Sequence, residues 1–437
     1  MQSTASTFSP PPLTSDTASM SSTSQLPSAS PSNGKELRVW LTLFLVTLIS
    51  SSQSSFSIIG LPMHAKSIGF SASQLSLLLG AFPFCAAVSA IVNGPVSDFY
   101  GRKRALLLGL ISLGITLSLH PFATTFETLL FLRACAGFSA GLLTGLPSLL
   151  LSDSFGRERQ QPLIGRSLSG YAIGQTIAIP LGIALIDLSG YLALNAYLGI
   201  LALVLAPFAR QLLPSATHRY QSPNYSFKRY GQETKTLFRN KRFRGLIATS
   251  GISFVATSLF YVTFAQWLFD DAGLRPYQIA PMYILAGLAQ VFALAYMSQR
   301  NASRAPEKNA AISFLVNAVL FSLFLIAFHD LRWAAFLFAL SLGAIALRIP
   351  SIHHLLNLSG PDTLKGLRMS MAQSCNHLGR AIGVSFASLL FPVVSADLLM
   401  LAAGLALLPS AAFFALSRPI DGAEEKSSPE YAAKLEK

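Results

Sequence analysis

The chain has 437 residues, 52% of them hydrophobic and only 12% charged, with a mean hydropathy of +0.51 and a formal net charge of +13. Charged residues make up about a quarter of an ordinary soluble protein, so half of the expected water-facing surface is missing; this excludes a soluble globular chain and fits a lipid-facing exterior. The positive charge does not describe a nucleic-acid binder, because Lys and Arg cluster in the gaps between apolar spans, as the positive-inside rule expects of cytoplasmic loops.

In chain order, residues 1–36 come first, rich in Ser, Thr and Pro and with no apolar core segment. No cleavable signal peptide is visible, and the composition predicts a disordered cytoplasmic tail. A membrane helix needs about 20 mainly apolar residues. On that scale the first half offers spans at about 38–62, 73–97, 104–122, 126–150, 163–187 and 191–213. The second half offers spans at about 243–268, 276–298, 309–328, 332–356, 368–393 and 396–417. This predicts an all-α integral membrane protein with twelve transmembrane helices in two six-helix bundles, 37–213 and 243–417. A basic cytoplasmic linker at 214–242 joins them, and a polar cytoplasmic tail at 418–437 follows.

Orientation follows from the cations. With both termini inside, Lys66, Arg275 and Arg332 are the only cations outside, Arg133, Arg348 and Arg380 lie within spans, and all others of the 32 are on the inner side. Internal similarity supports the division into halves. Gly145-Leu146-Pro147-Ser148-Leu149 in the fourth span matches Arg348-Ile349-Pro350-Ser351-Ile352 in the tenth, and Tyr171-Ala172-Ile173-Gly174 in the fifth matches Arg380-Ala381-Ile382-Gly383 in the eleventh. The three cysteines, Cys85, Cys135 and Cys375, lie in apolar spans without CxxC pairing, so they read as small buried hydrophobes rather than a disulfide or metal framework.

Between the second and third spans stands Gly94-Pro95-Val96-Ser97-Asp98-Phe99-Tyr100-Gly101-Arg102-Lys103-Arg104. Its pattern, G-x-x-x-D-x-x-G-R-K, resembles the signature loop of the major facilitator superfamily. In the fourth span, Leu129 to Gly137 places Arg133 four residues before a Gly, as in that family's fourth-helix motif. The resemblance implies two parallel six-helix repeats moving by alternating access, as the short-looped efflux branch does. It also implies a cytoplasmic gate. There Gly94 permits close helix approach, Asp98 faces the positive end of the eleventh helix, Gly101 closes the turn, and Arg102 reaches an acid for which Asp153 is well placed. Phe99 stands where the family commonly has Arg or Lys, which removes one arm of that charge network.

An ionised side chain in hydrocarbon usually faces a cavity or a partner. Arg133 is expected either to bind substrate or coupling ion, or to snorkel to the outer interface, and Arg348 either to serve function or to snorkel inward. In the eleventh span Gln373, Asn376, His377 and Arg380 recur at one-turn spacing, a polar stripe that must line a cavity or a polar interface. The run Ser50 to Ser55 can bond back to helical carbonyls, whereas Gln53 cannot do so easily and is expected at the central cavity. Phe254, Tyr261, Phe264 and Trp267 recur at helical spacing in the seventh span and read more readily as packing than as a substrate path.

The spans carry no carboxylate at mid-depth, so the usual intramembrane proton carrier is missing, and so is the usual partner of a cationic drug. The expected substrate-binding residues are Gln53, Arg133, Gln373, Asn376, His377 and Arg380; the expected gating residues are Gly94, Asp98, Gly101, Arg102 and Asp153. The expected function is secondary transport of a small molecule, with efflux of a metabolite or drug first and uptake or exchange of an organic anion second. A non-transporting sensor or scaffold on the same fold is the reading of another class. The chain reads as a monomer in the plasma or inner membrane, with a proton as the possible coupling ion. It is expected to use no cofactor, metal or nucleic acid. No Walker-type phosphate loop is present, and the adjacent His353 and His354 point to different helix faces, so neither ATP hydrolysis nor a metal enzyme is expected.

Overall fold

A computed structural model describes residues 33–154, 157–214, 227–299, 305–327, 330–360 and 364–417, and those residues are almost wholly helical. The first half holds α1 (Asn33–Ile68), α2 (Ala72–Tyr100), α3 (Arg102–Ser118), α4 (Phe126–Leu143), α5 (Leu146–Ser154) and α6 (Arg157–Leu212). A connecting helix, α7 (Phe227–Arg239), follows. The second half holds α8 (Lys241–Asp270), α9 (Pro276–Gln299), α10 (Pro306–Ser322), the single turn α11 (Phe324–Ala327), α12 (Leu331–Leu358), α13 (Lys365–Leu390), α14 (Ala396–Leu405) and α15 (Leu408–Leu416).

Local sequence explains the ends of these helices. Ser71 and Gln74 form a reciprocal capping box at the start of α2, and Thr125 and Thr128 do the same for α4. Asn240 accepts from the first backbone N–H groups of α8, and Asp330 caps α12. Inside α6 the backbone turns at Gly190, with φ of 82°, a conformation that glycine adopts without a Cβ clash, so two helices run on from one another there.

Ten helices among the described residues are long and apolar enough to cross a membrane. One expected span falls short of that measure for a physical reason. In α13 the polar stripe from Gln373 to Arg380 lowers the hydropathy; the part of α6 from Leu188 to Leu212 reaches the measure, and the expected span at 163–187 falls largely on side chains outside the described residues. The outer surface is what lipid requires, with Phe131, Phe292 and Val393 among many large exposed apolar side chains.

Packing gathers into two large cores. One joins α1, α3, α4, α5 and α6 around Leu43, Leu110, Leu146 and Ala202. The other joins α8, α9, α10, α12 and α14 around Phe260, Phe264, Phe314 and Phe338, and here the aromatic residues of the seventh expected span are chiefly packing: Phe264 stacks on Phe338 with centroids 4.2 Å apart. The two halves meet most extensively where α2 lies along α13, and again where α6 meets α9. The linker also holds structure that its composition did not announce. In α7, Tyr230 and Leu237 are buried while Lys235 and Arg239 face outward.

Candidate functional site

Arg133 leaves the second turn of α4 and is 2% exposed. Its Nη1 donates to Ser57 Oγ at 2.7 Å and to the Tyr191 hydroxyl at 3.4 Å, while Nε donates to the Leu78 carbonyl at 3.3 Å. The guanidinium carbon lies 5.0 Å from the centre of the Phe82 ring, within cation–π range. The side chain therefore does not snorkel; it is held inside the first half by α1, α2 and α6. Ser57 is the hub. Its hydroxyl donates to the Gln53 carbonyl at 3.0 Å, which leaves its oxygen to accept from Arg133 and, at 3.4 Å, from Gln53 Nε2. Tyr191 approaches the same oxygen at 3.2 Å, placed there by the turn at Gly190.

Gln53 thus belongs to the Arg133 network and is fully buried, with Oε1 lacking a hydrogen-bond partner. Its serine neighbours behave as back-bonding predicts: Ser51 donates to the Leu48 carbonyl, and Ser55 to the Ser51 carbonyl.

Arg348, on α12, is buried to the same degree. Nη2 donates to Thr257 Oγ1 of α8 at 3.0 Å and the guanidinium lies 4.7 Å from the Phe314 ring centre, but Nη1 is buried with no hydrogen-bond partner. It too stays inside its half rather than reaching the interface.

The α13 stripe divides between two neighbours. Asn376 Oδ1 accepts from Ser250 of α8 at 2.6 Å, and Arg380 lies over the Phe254 ring, 5.3 Å from its centre. His377 Nε2 pairs with the Thr144 hydroxyl, at the end of α4, at 3.1 Å and so crosses from one half to the other. Gln373 is half-buried on the same helix. Beside them Ser374 donates to the Ala87 carbonyl of α2, and farther along Ser76 and Ser385 each donate to the other's carbonyl. The predicted binding residues are therefore gathered into two sets. Gln53 and Arg133 form one within the first half; Asn376, His377 and Arg380 form the other, between α13 and its neighbours.

At the signature loop, Gly94 is buried where α2 meets the Tyr230 hydroxyl of α7 and Ser370 of α13; a side chain in its place would press on Tyr230. Tyr230 donates to the Ile91 carbonyl at 2.9 Å, tying the linker helix to this seam. Gly101 turns the chain between α2 and α3 with φ of 91°. Arg102 donates to the Leu149 carbonyl of α5 at 3.2 Å, which brings it to the segment that carries Asp153. The side chains of Asp98, Phe99 and Asp153 lie outside the described residues. At the opposite end of the bundle, Lys66 of α1 and Asp270 of α8 form a 2.7 Å ion pair between the halves. Among the described residues no group of His, Cys, Asp and Glu could hold a metal ion.

The model of the Major Facilitator Superfamily matches residues 43–347. The chain belongs to this superfamily. Members of the major facilitator superfamily are multi-pass membrane transporters and not enzymes. Among relatives, "Probable anion transporter 3, chloroplastic" of Arabidopsis thaliana is 29% identical over 168 residues, which is 37% of this chain and 33% of that protein. "Inner membrane transport protein YnfM" of Escherichia coli (strain K12) is 24% identical over 271 residues, 60% of each. These matches span a third to three fifths of the relatives' own length. The crystal structure of the human organic anion transporter MFSD10 shares the fold, with a TM-score of 0.70 at 19% identity over 87% of this chain and 99% of that one.

Sequence reasoning missed Ser57, Tyr191 and Thr257. Tyr191 follows a glycine at the junction of two spans, where an aromatic residue reads as an interfacial anchor, and its partner Arg133 is 58 positions away. The signal that could have found the hydroxyls is the need of each buried guanidinium for an acceptor.

Proposed function

We propose that this transporter carries a small organic anion by alternating access between its two halves. The observation that supports the reading is a pair of buried guanidiniums, Arg133 and Arg348, that meet hydroxyls and aromatic rings but no carboxylate among the described residues. A buried cation without a counter-charge is costly, and a carboxylate or phosphate on the substrate would offset that cost by bidentate pairing in a low dielectric. Arg348 is the better placed of the two, because its Nη1 has donor capacity left. Gln53, Gln373, Asn376, His377 and Arg380 add polar contacts at a central site between the halves. The printed name of the Arabidopsis relative, an anion transporter, agrees with this choice of substrate class.

The reading includes twelve crossings with both ends inside, the first part of α6 and the polar α13 supplying those beyond the ten clearly apolar helices. Gly94, Asp98, Gly101, Arg102 and Asp153 form the inner gate, and the protein works as a monomer in the plasma or inner membrane. The short loops, like those of the efflux branch, make export the direction to test first.

Proteoliposomes loaded with a panel of organic anions, neutral solutes and cations, with and without a pH gradient, test substrate class and coupling together. Efflux of at least one anion is expected, lost in Arg380→Ala at unchanged expression. Transport of cations alone would remove the anion site, and full activity of that variant would remove Arg380 from it.

A further inference from the structure

Where α8 begins and α15 ends, an open cavity of about 240 Å³ is lined by Lys241, Arg242, Phe413 and Ser417. Its walls are built with specific parts. The Phe413 ring lies against Gly245, where any Cβ would collide with it. The Arg242 guanidinium is steadied by Glu307 of α10 at 2.8 Å, so it is held at the cavity rather than left to swing. The Ser417 hydroxyl donates to the Phe413 carbonyl at 2.7 Å, which leaves its oxygen free to accept a hydrogen bond.

The surroundings say what solvent meets this cavity. Leu416, next to Ser417, is 84% exposed among the described residues, so apolar surface lies beside the cavity, as a lipid-facing helix end requires. The exposed Lys241 and Arg244 stand in the first turn of α8, and the exposed Arg239 ends α7 just before it. An open cavity lined by an aromatic ring, two cationic side chains and a hydroxyl, at the ends of two apolar helices, suits an anionic headgroup that carries a hydroxyl.

We propose that this cavity binds the headgroup of an anionic glycerophospholipid that itself carries a hydroxyl, such as phosphatidylglycerol. Lys241 and Arg242 take the phosphate, Ser417 accepts from the headgroup hydroxyl, and Phe413 supports the glycerol and the first methylenes. The site is independent of the transported solute, since it is made from the helix ends and not from the buried arginines.

The test uses the full chain in detergent, with native mass spectrometry and thermal unfolding read in parallel. The probes are phosphatidylglycerol, phosphatidylcholine and the chainless glycerol 1-phosphate. Phosphatidylglycerol is expected to be retained as discrete adducts and to raise the melting temperature, with phosphatidylcholine and glycerol 1-phosphate doing neither. Lys241→Gln should weaken phosphatidylglycerol binding about fivefold, the size of effect of one cation at an anionic membrane surface. The lipid-free melting temperature of that variant should be unchanged, because Lys241 is exposed. Arg244→Gln, an exposed cation outside the cavity, should leave binding as it is. Equal retention of phosphatidylcholine, an equal loss in both variants, or an equal shift with glycerol 1-phosphate would each overturn the proposal.

Discussion

Arg133 and Arg348 leave the fourth long helix of their respective halves, meet a hydroxyl on the first, and rest over a phenylalanine ring. Beyond that shared plan they differ. Arg133 reaches two hydroxyls and a backbone carbonyl, and its main acceptor, Ser57, is oriented by Gln53. Arg348 reaches one hydroxyl and leaves Nη1 unpaired. Desolvating a cation costs several kcal/mol, and a hydrogen bond to a charged group returns about 1.5–3 kcal/mol. On that scale the first-half arginine is compensated by its own protein, and the second-half one is not. The lesson is that similar placement in two related halves can yield a structural fixture in one and an open donor in the other.

The largest expected effect comes from Arg133→Ala. It empties the centre of the first-half network and should destabilise the protein by roughly 2–4 kcal/mol, read by thermal unfolding in detergent. A change within about 0.5 kcal/mol would end the description of Arg133 as a fixture. Arg348→Met should behave in the opposite sense. It replaces an under-compensated charge by an apolar chain of similar length, so stability should hold or rise by about 1–3 kcal/mol while anion transport falls tenfold or more. Undiminished transport would leave Arg348 a packing residue and erase the contrast. The smallest effects sharpen it: Ser57→Ala should cost about 2 kcal/mol and Thr257→Val about 1 kcal/mol, because the first removes a shared acceptor and the second a single one. Equal costs would mean that Ser57 is no hub.

Much of this contrast was legible in the residues, though not its outcome. An arginine in an apolar span announces that something must receive it, and both Arg133 and Arg348 stand out for that reason. Which groups receive them depends on contacts between distant parts of the chain, 76 positions for Arg133 and Ser57 and 91 for Arg348 and Thr257. The same limit applies to Gln53, whose burial is plain from its span but whose neighbours are not. Family membership was readable from the loop at Gly94 to Arg104, since its spacing needs only one segment. The helix at Phe227–Arg239 was harder to see, because basic residues dominate the linker's composition while its anchoring rests on Tyr230 and Leu237, two turns apart. The span at 368–393 was legible from the length of its apolar run, while the partners of its polar stripe lie on other helices.

The ion pair between Lys66 and Asp270 has a consequence for timing. Its side chains are 75% and 40% exposed, so water and salt weaken it to about 1 kcal/mol or less. In the proposed alternating-access cycle these helix ends part once in every turnover, and a contact of that size biases the two arrangements only about fivefold. A fastening this weak sets a preferred resting state without becoming the slow step of the cycle.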